Sequence, residues 1–350
     1  MLHDSSPTYR GMLDRVTIGD VAERAGVSIA TVSRVVNGRY GVAPATLDRV
    51  KVVIADLGYE SSLIARSLRS QRTNVIGVLV TDIEPFSAEV LKGAANALRG
   101  GEYELVVYSG GHGGDHVGWE RRYISRLGGT LTDGTVLVTP TVTEVPTNQP
   151  VVAVDPHSGA SAFPTFASQN FEGALSATRH LIELGHRRIG FLGGRRDLES
   201  ARLREQGYRA GLEEAGILFD PELVLDGGFK ESTAEAPARC LLSLAHRPTA
   251  IFAANDSSAI QTMRTAVELG LHVPNDLSVI GFDNVPESAL THPPLTTVEQ
   301  PIQTLGYEAV KLLITLIEQP DQRLAPPARV ALPTKLVVRS STAAPRRDAS

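Results

Sequence analysis

A chain of 350 residues, 42% hydrophobic and 21% charged, is long enough for two or three folding units, each with its own core. Its one cysteine, Cys240, excludes an intrachain disulfide and suits a reducing cytoplasm; there is neither a run of about 18 apolar residues for a membrane span nor an apolar leader for secretion. The net charge of −5 is uneven: residues 1–72 carry ten Lys/Arg against seven Asp/Glu (+3) and the rest 24 against 32 (−8), which fits nucleic-acid contact by an N-terminal module alone.

Residues 1–15 read as a flexible extension. The stretch from Val16, VTIGDVAERAGVSIATVSRVVNG, places Val16, Ile18, Val21 and Ala22 on one face at helical spacing until Gly26 breaks the pattern. Val27 begins a second apolar set with Val32, Val35 and Val36. Two short amphipathic helices joined by a turn containing glycine are the sequence form of a helix-turn-helix. Thr17 is placed to cap the first helix, with Asp20 completing a variant capping box; Ser28 is placed to cap the second, and Asn37-Gly38 stops it. The outer face of the second helix carries Ile29, Ala30, Thr31, Ser33 and Arg34 and no acid, so hydroxyls beside one Arg can approach a phosphate backbone.

A third helix is predicted over 43–57, with Pro44 in its first turn, Leu47, Val50, Ile54 and Leu57 on one face, and Gly58 ending it. The basic stretch YESSLIARSLRSQRTN follows, too short to hold a helix alone in water. From Asn74 the texture alternates between short apolar strands (75–80, 104–109, 134–139, 151–155, 188–194, 223–227, 250–255 and 278–283) and amphipathic helices near 86–99, 118–128, 171–184, 200–215, 232–245, 256–269 and 301–318. Repeated β-α units with buried strands predict parallel α/β sheets, and the span suits two similar lobes. RLAPPARVALPTKLVVRS ends in a last strand, and AAPRRDAS reads as a disordered tail.

Several motifs in order, VTIGDVAERAGVSIATVSRVVNG, IARSLRS, VIGVLV, LGHRRIGFLGG, SARLREQGY, IFAAND, VPNDLSVIGFDN and PPLTTVEQP, give the chain a specific similarity, from residue 16 to about 340, to the LacI/GalR (lactose-repressor) family of bacterial transcriptional regulators. The resemblance implies an all-α helix-turn-helix headpiece (16–60), a hinge helix or linker (61–73), and a two-lobed α/β effector and dimerisation domain of periplasmic-binding-protein type I (74–340). Lobe N would cover about 74–168 and 299–326, lobe C about 169–298 and 327–340, and 341–350 would be the tail. It departs from the common pattern at Ser61-Ser62, where many relatives have Pro-Asn or Pro-Ser, and at Glu84-Pro85-Phe86-Ser87, where many have Asn-Pro-Phe-Phe.

The resemblance assigns base contact to Ile29, Ala30 and Arg34, of which only Arg34 can bond a guanine in bidentate fashion. Thr31, Ser33 and Asn37 are expected to hold phosphates and set register, and the helix caps Thr17 and Ser28 are counted with them as DNA-binding residues. Leu68 matches the family's minor-groove wedge, with Arg66 and Arg69 beside it. Polar residues at strand ends match effector positions: Asp155, Asn255 and Asp283, with Arg202 on the helix after the Gly-Gly loop and Gln300 after PPLTTVE. Carboxylates, an amide and an Arg suit a polyol, and Phe86 and Phe229 match positions that pack on its apolar face. Thr81 and Glu84 are further cleft candidates, and Asp256 is read as the cap of the helix that follows it.

No G-x-S-x-G elbow, P-loop or spaced dinucleotide fingerprint stands in the chain, and His112, Asp115 and His116 read as a glycine-rich loop rather than a metal site. The expectation is a cytoplasmic, non-enzymatic DNA-binding regulator without metal or cofactor, a repressor of a carbohydrate-utilisation operon released by a sugar-like inducer; the alternatives are a corepressor-dependent regulator whose ligand tightens operator binding and a sugar-binding transport protein. The repressor's partners would be a double-stranded operator, a sugar-like effector and a second copy of itself, as a homodimer or tetramer.

Overall fold

The computed structural model describes residues 16–36, 40–58, 72–110, 118–127, 131–158, 161–321 and 328–346. The expected extension 1–15, the segment 59–71, the loop containing His112, Asp115 and His116, and the site residues Asn37, Arg66, Leu68 and Arg69 lie outside them.

The N-terminal unit, through Thr73, is built on three helices: α1 (Ile18–Ala25), α2 (Ile29–Val36) and α3 (Pro44–Leu57). Their spacing brings Val21, Ala22, Ala25, Val32, Val35, Val50 and Val53 into one small core, with Leu47, Ile54 and Leu57 partly buried against it. The capping box forms: Asp20 N donates to Thr17 Oγ1 at 3.3 Å, and Thr17 N donates to the Asp20 carboxylate at 2.6 Å. Gly26 closes α1 with φ +65, the left-handed conformation that lets the chain turn into α2.

The second unit, from Asn74 onward, holds two six-stranded sheets. The first has the order β11-β5-β4-β3-β1-β2, all parallel, from β1 (Val75–Val80), β2 (Glu104–Ser109), β3 (Gly134–Val138), β4 (Val151–Val154), β5 (Thr165–Ser168) and β11 (Arg329–Leu332). The second has the order β12-β10-β9-β8-β6-β7, from β6 (Ile189–Gly193), β7 (Val224–Asp226), β8 (Ala250–Ala253), β9 (Ser278–Asp283), β10 (Thr296–Glu299) and β12 (Lys335–Val337), with β12 antiparallel. Helices α4 (Pro85–Ala97), α5 (Trp119–Leu127) and α10 (Ile302–Glu318) cover the first sheet. Helices α6 (Asn170–Glu183), α7 (Glu199–Glu214), α8 (Glu231–Leu242) and α9 (Asp256–Glu268) cover the second. The fully buried strands β1, β3, β4, β8 and β9 are the near-continuous apolar runs expected of parallel sheets packed on both faces. Helices α4 and α10 meet backbone to backbone: a Cβ on Gly93 would lie 1.9 Å from the Gln303 carbonyl, and one on Gly306 would lie 2.1 Å from that of Val90.

The chain passes between the lobes three times, after β5, after β10 and between β11 and β12. This corrects the expected boundary: β11 does not belong to the second lobe but extends the first sheet alongside β5, with Val330 in register with Phe166. The expected tail is corrected as well, since 341–346 is bound to the body. Ser341 O accepts from Val279 N at 2.9 Å, Ser341 Oγ accepts from Thr296 N at 2.8 Å, and Arg346 pairs with Asp276 at 2.6 Å.

Candidate functional site

On α2 the apolar side is spent on the core, and Ile29, Ala30 and Arg34 are left exposed with Thr31 and Ser33 half-buried beside them. Ser28 Oγ accepts from Thr31 N at 3.2 Å and contacts Thr31 Oγ1 at 2.9 Å, which tightens the first turn of α2. The exposed end of α2 therefore presents backbone N–H groups, hydroxyls and one Arg with no acid in its first turn, a surface fit for phosphates and base edges.

Between the two lobes of the body lies an open cleft. It sits beyond the carboxyl ends of the strands: Thr81 follows β1, Thr139 follows β3, Asp155 follows β4, Arg195 follows β6, Asn255 follows β8, and Asp283 ends β9. Six non-glycine residues have left-handed backbones among the described residues, and four of them, Thr139, Asp155, Phe229 and Asp283, line this cleft. Backbone strain concentrated at one cleft points to a site that fixes side-chain directions. Phe229 is held against Gly194, where a Cβ would lie 2.0 Å from its ring.

At the floor of the cleft is a buried polar cluster. Arg204, 3% exposed, donates to Asn170 Oδ1 (2.8 Å), to the Ala254 carbonyl (2.5 Å) and to Asp283 Oδ1 (3.4 Å), and its guanidinium stacks 3.9 Å from the Phe282 ring centroid. Gln300 Nε2 donates to the same Asp283 oxygen at 2.6 Å. Asp155, from the first lobe, accepts from Ser200 Oγ of the second at 3.1 Å, and Glu199 N donates to His157 O at 3.1 Å. At the mouth, Lys230 and Asp82 face each other across the lobes at 3.6 Å. These bonds tie the two lobes together through groups that a ligand can touch.

Of the expected effector residues, Phe86, Asp155, Phe229, Asn255 and Asp283 line the cleft, as do Thr81 and Glu84. Gln300 does not line it and reaches it through Asp283. Arg202 is corrected: it is exposed on α7 and donates to the carbonyls of Arg196, Asp197 and His157, and Arg204 stands in the cleft instead. Two residues apart on a helix is about half a turn, so only one of the pair can face inward. Ser200 and Arg204, together with Gly207, Tyr208 and Gly211, form the inward stripe, a period legible in the sequence and passed over. Asp256 is corrected too. Asn255 is the cap, its Oδ1 accepting from Ser258 N at 3.0 Å while its Nδ2 donates to Phe229 O. Asp256 is fully buried and accepts from Val285 N at 2.9 Å and from Thr297 Oγ1. His157, Ser200, Arg204 and Lys230 are cleft residues missed in the sequence.

Burial pushes the Asp283 carboxyl up to about 6 against the pull of Arg204 and the Gln300 hydrogen bond, and it raises Asp155 and Asp256 as well. Glu84 is pushed up to about 7, first by burial and next by the facing charge of Asp283, with Lys230 and Arg195 opposing. A folded value above the unfolded one means that Glu84 stabilises the fold fully only below about pH 4.5, and that this is lost as pH rises through about 7. Glu84→Gln is expected to match the wild type near pH 4.5 and to exceed its stability by about 1–2 kcal/mol near pH 8, after allowance for solvent at the cleft mouth. Urea melts at the two pH values check this; parallel pH profiles for the two proteins would contradict it.

A helix-turn-helix followed in the same chain by a two-lobed ligand cleft defines the class of ligand-responsive DNA-binding regulators. Residues 17–62 match the family described as bacterial regulatory proteins, lacI family, and residues 178–342 match a periplasmic binding protein-like domain. The HTH-type transcriptional repressor PurR of Yersinia enterocolitica is 36% identical over 345 residues, covering 95% of this chain and 98% of that protein. Among solved structures, a transcriptional regulator CelR–cellobiose complex is similar at 32% identity and TM-score 0.68, over 93% of this chain and 100% of that one. The lac repressor dimer bound to operator and the anti-inducer ONPF is similar at 28% identity and TM-score 0.78, over 94% and 99%. The chain belongs to the lacI family of bacterial regulatory proteins. It is a DNA-binding transcriptional repressor with a ligand-responsive body, and not an enzyme.

Proposed function

We propose that this repressor controls a carbohydrate-utilisation operon and is released from its operator by a sugar-like inducer. The observation that carries the sugar reading is the pairing of two aromatic rings, Phe86 and Phe229, with the polar set Asp155, Arg204, Asn255 and Asp283 in one cleft. Rings suit the apolar face of a pyranose, and carboxylates and a guanidinium each take two hydroxyls. The likeness to a regulator complexed with cellobiose adds support. Thermal-shift screening of a sugar and purine panel tests it: a ligand at about 100 times its Kd adds about 2.7 kcal/mol to the body. Shifts with purines and with no sugar would overturn it, and would favour a second reading, a purine corepressor that tightens operator binding, which the PurR relatives support.

The inducer acts only through unequal affinity for two lobe arrangements. Closure or rotation of the lobes, read out through the linker after the headpiece, lowers operator affinity. The working unit of this proposal is a homodimer on a two-half-site operator. In its support, the second lobe carries an apolar groove lined by Ile260, Met263, Val267, Leu271, Val273 and Leu290, with Val267 and Leu290 largely exposed.

Thr17, Ser28, Thr31 and Ser33 are proposed to hold phosphates, and Ile29 and Ala30 to meet thymine methyls. Arg34 supplies the hydrogen-bonded readout. Arg34→Ala is expected to remove about 1–3 kcal/mol of discrimination against each replaced operator guanine. Fluorescence anisotropy on intact and guanine-substituted operators measures it, and undiminished discrimination would take the readout away from Arg34.

A further inference from the structure

Glu84 occupies the N-cap position of α4, with extended backbone at φ −102 and ψ 171, yet its side chain makes no capping bond. It lines the cleft instead, and among the described residues no hydrogen bond or direct ion pair reaches its carboxyl. The other acids of the cleft are engaged: Asp82 by Lys230, Asp155 by Ser200, Asp283 by Arg204 and Gln300. The cations are engaged as well. Lys230 faces Asp82, Arg195 pairs with Asp197 at 2.7 Å, His157 meets the same Asp197 at 3.1 Å, and Arg204 is held by three acceptors.

The groups whose charge reaches Glu84 come from every neighbouring element. They are Asp283 at the end of β9, Lys230 before α8, Arg195 after β6 and Asp82 on its own loop. Two carboxyls from opposite lobes, Glu84 and Asp283, thus line one space, and among the described residues each cation of the cleft is already engaged. The group that completes such a site is a cation brought by the ligand. Phe86, two residues further along the chain, lines the same cleft, while the Phe229 ring already carries the Arg204 guanidinium 5.4 Å from its centroid.

We propose that the effector carries a protonated amine that docks on Glu84, so that the cleft selects an amino sugar over its neutral parent. This rests on the sugar reading given above. The ammonium donates hydrogen bonds to the Glu84 carboxylate, and the proton that Glu84 held is released to solvent. A neutral sugar presents only a hydroxyl there, which does not drive the acid to ionise and releases no proton.

The test is isothermal titration of the full-length protein near neutral pH with matched probes: glucose and glucosamine, galactose and galactosamine, cellobiose and its diamino analogue chitobiosamine. The amine of at least one pair is expected to bind about tenfold or more tightly than its parent. Its apparent enthalpy is expected to change between buffers of different ionisation enthalpy, the signature of proton release. In Glu84→Gln the preference ratio is expected to fall to about one. A neutral parent that binds as well as its amine, or a preference that survives Glu84→Gln, overturns the proposal and leaves the sugar reading standing. Binding of purines with no member of any pair binding overturns both.

Discussion

Arg204→Ala is expected to destabilise the body by about 3–5 kcal/mol and to abolish its response to ligand. Among the described residues the guanidinium is the positive charge that acts on both Asp155 and Asp283, which are 8% and 5% exposed. Removing it leaves two buried carboxyls without that countercharge, held only by the neutral donors Gln300 and Ser200, and takes a donor from the Asn170 oxygen and the Ala254 carbonyl. Those carboxyls would answer by holding their protons to higher pH, so the loss should be larger at pH 8 than at pH 5. Arg202→Ala is the built-in comparison. That guanidinium touches only backbone carbonyls at the surface, and its removal should stay within about 0.5 kcal/mol. Urea melts of the two variants side by side measure the difference. Equal losses would mean that the buried cluster does not hold the second lobe to the cleft.

The second large effect concerns assembly. Val267→Glu with Leu290→Glu puts two charges on the apolar groove of the second lobe, at positions 68% and 73% exposed in the single chain. Exposed substitutions cost a folded monomer about 0.5 kcal/mol or less, so the chain should fold normally. If the groove is the contact of the proposed homodimer, they would bury unpaired charges there, at a cost that disfavours assembly. The expected result is a monomer by light scattering. Operator affinity should drop about 100-fold or more, because the second headpiece no longer binds at the raised local concentration that the first one creates. A variant that remains dimeric, or that binds operator as tightly as the wild type, would place the contact elsewhere.

The headpiece was legible because its signals are local. Thr17, Asp20, Gly26 and Ser28 act within one turn of the residues that name them, and the apolar period of α1 and α2 sets which face is outside. The long apolar strands were legible for the same reason. Strands β5, β10 and β11 were not, being four residues each: TFAS and TTVE carry Thr and little apolar run, and RVAL was absorbed into a single longer strand. Their existence depends on edges supplied by β4, β9 and β5, which are remote in sequence. The 341–346 segment looked disordered because Ser, Thr, Ala and Pro bury little on their own. Val279, Thr296 and His186, far back in the chain, supply its partners.

Within the cleft, residue type was readable and direction was not. An acid or amide at the end of a strand points to a ligand site by its position alone. Choosing Arg202 over Arg204 needed the phase of α7, and choosing between Asn255 and Asp256 needed the fully buried partners Val285 and Thr297. Glu84 stood out in the sequence as a departure from the family's usual Asn and as a cleft candidate after the first strand, and its lack of a partner is visible only in three dimensions.

Control of the headpiece by the cleft is read directly by one titration. Operator affinity of the full-length protein is measured by anisotropy with and without a ligand shown to stabilise the body, in the wild type and in Arg204→Met. The predicted result is an operator affinity lowered about tenfold or more by the ligand in the wild type and unmoved in the variant. Tighter operator binding with ligand would contradict induction, and an affinity unchanged by a ligand that occupies the cleft would contradict the coupling itself.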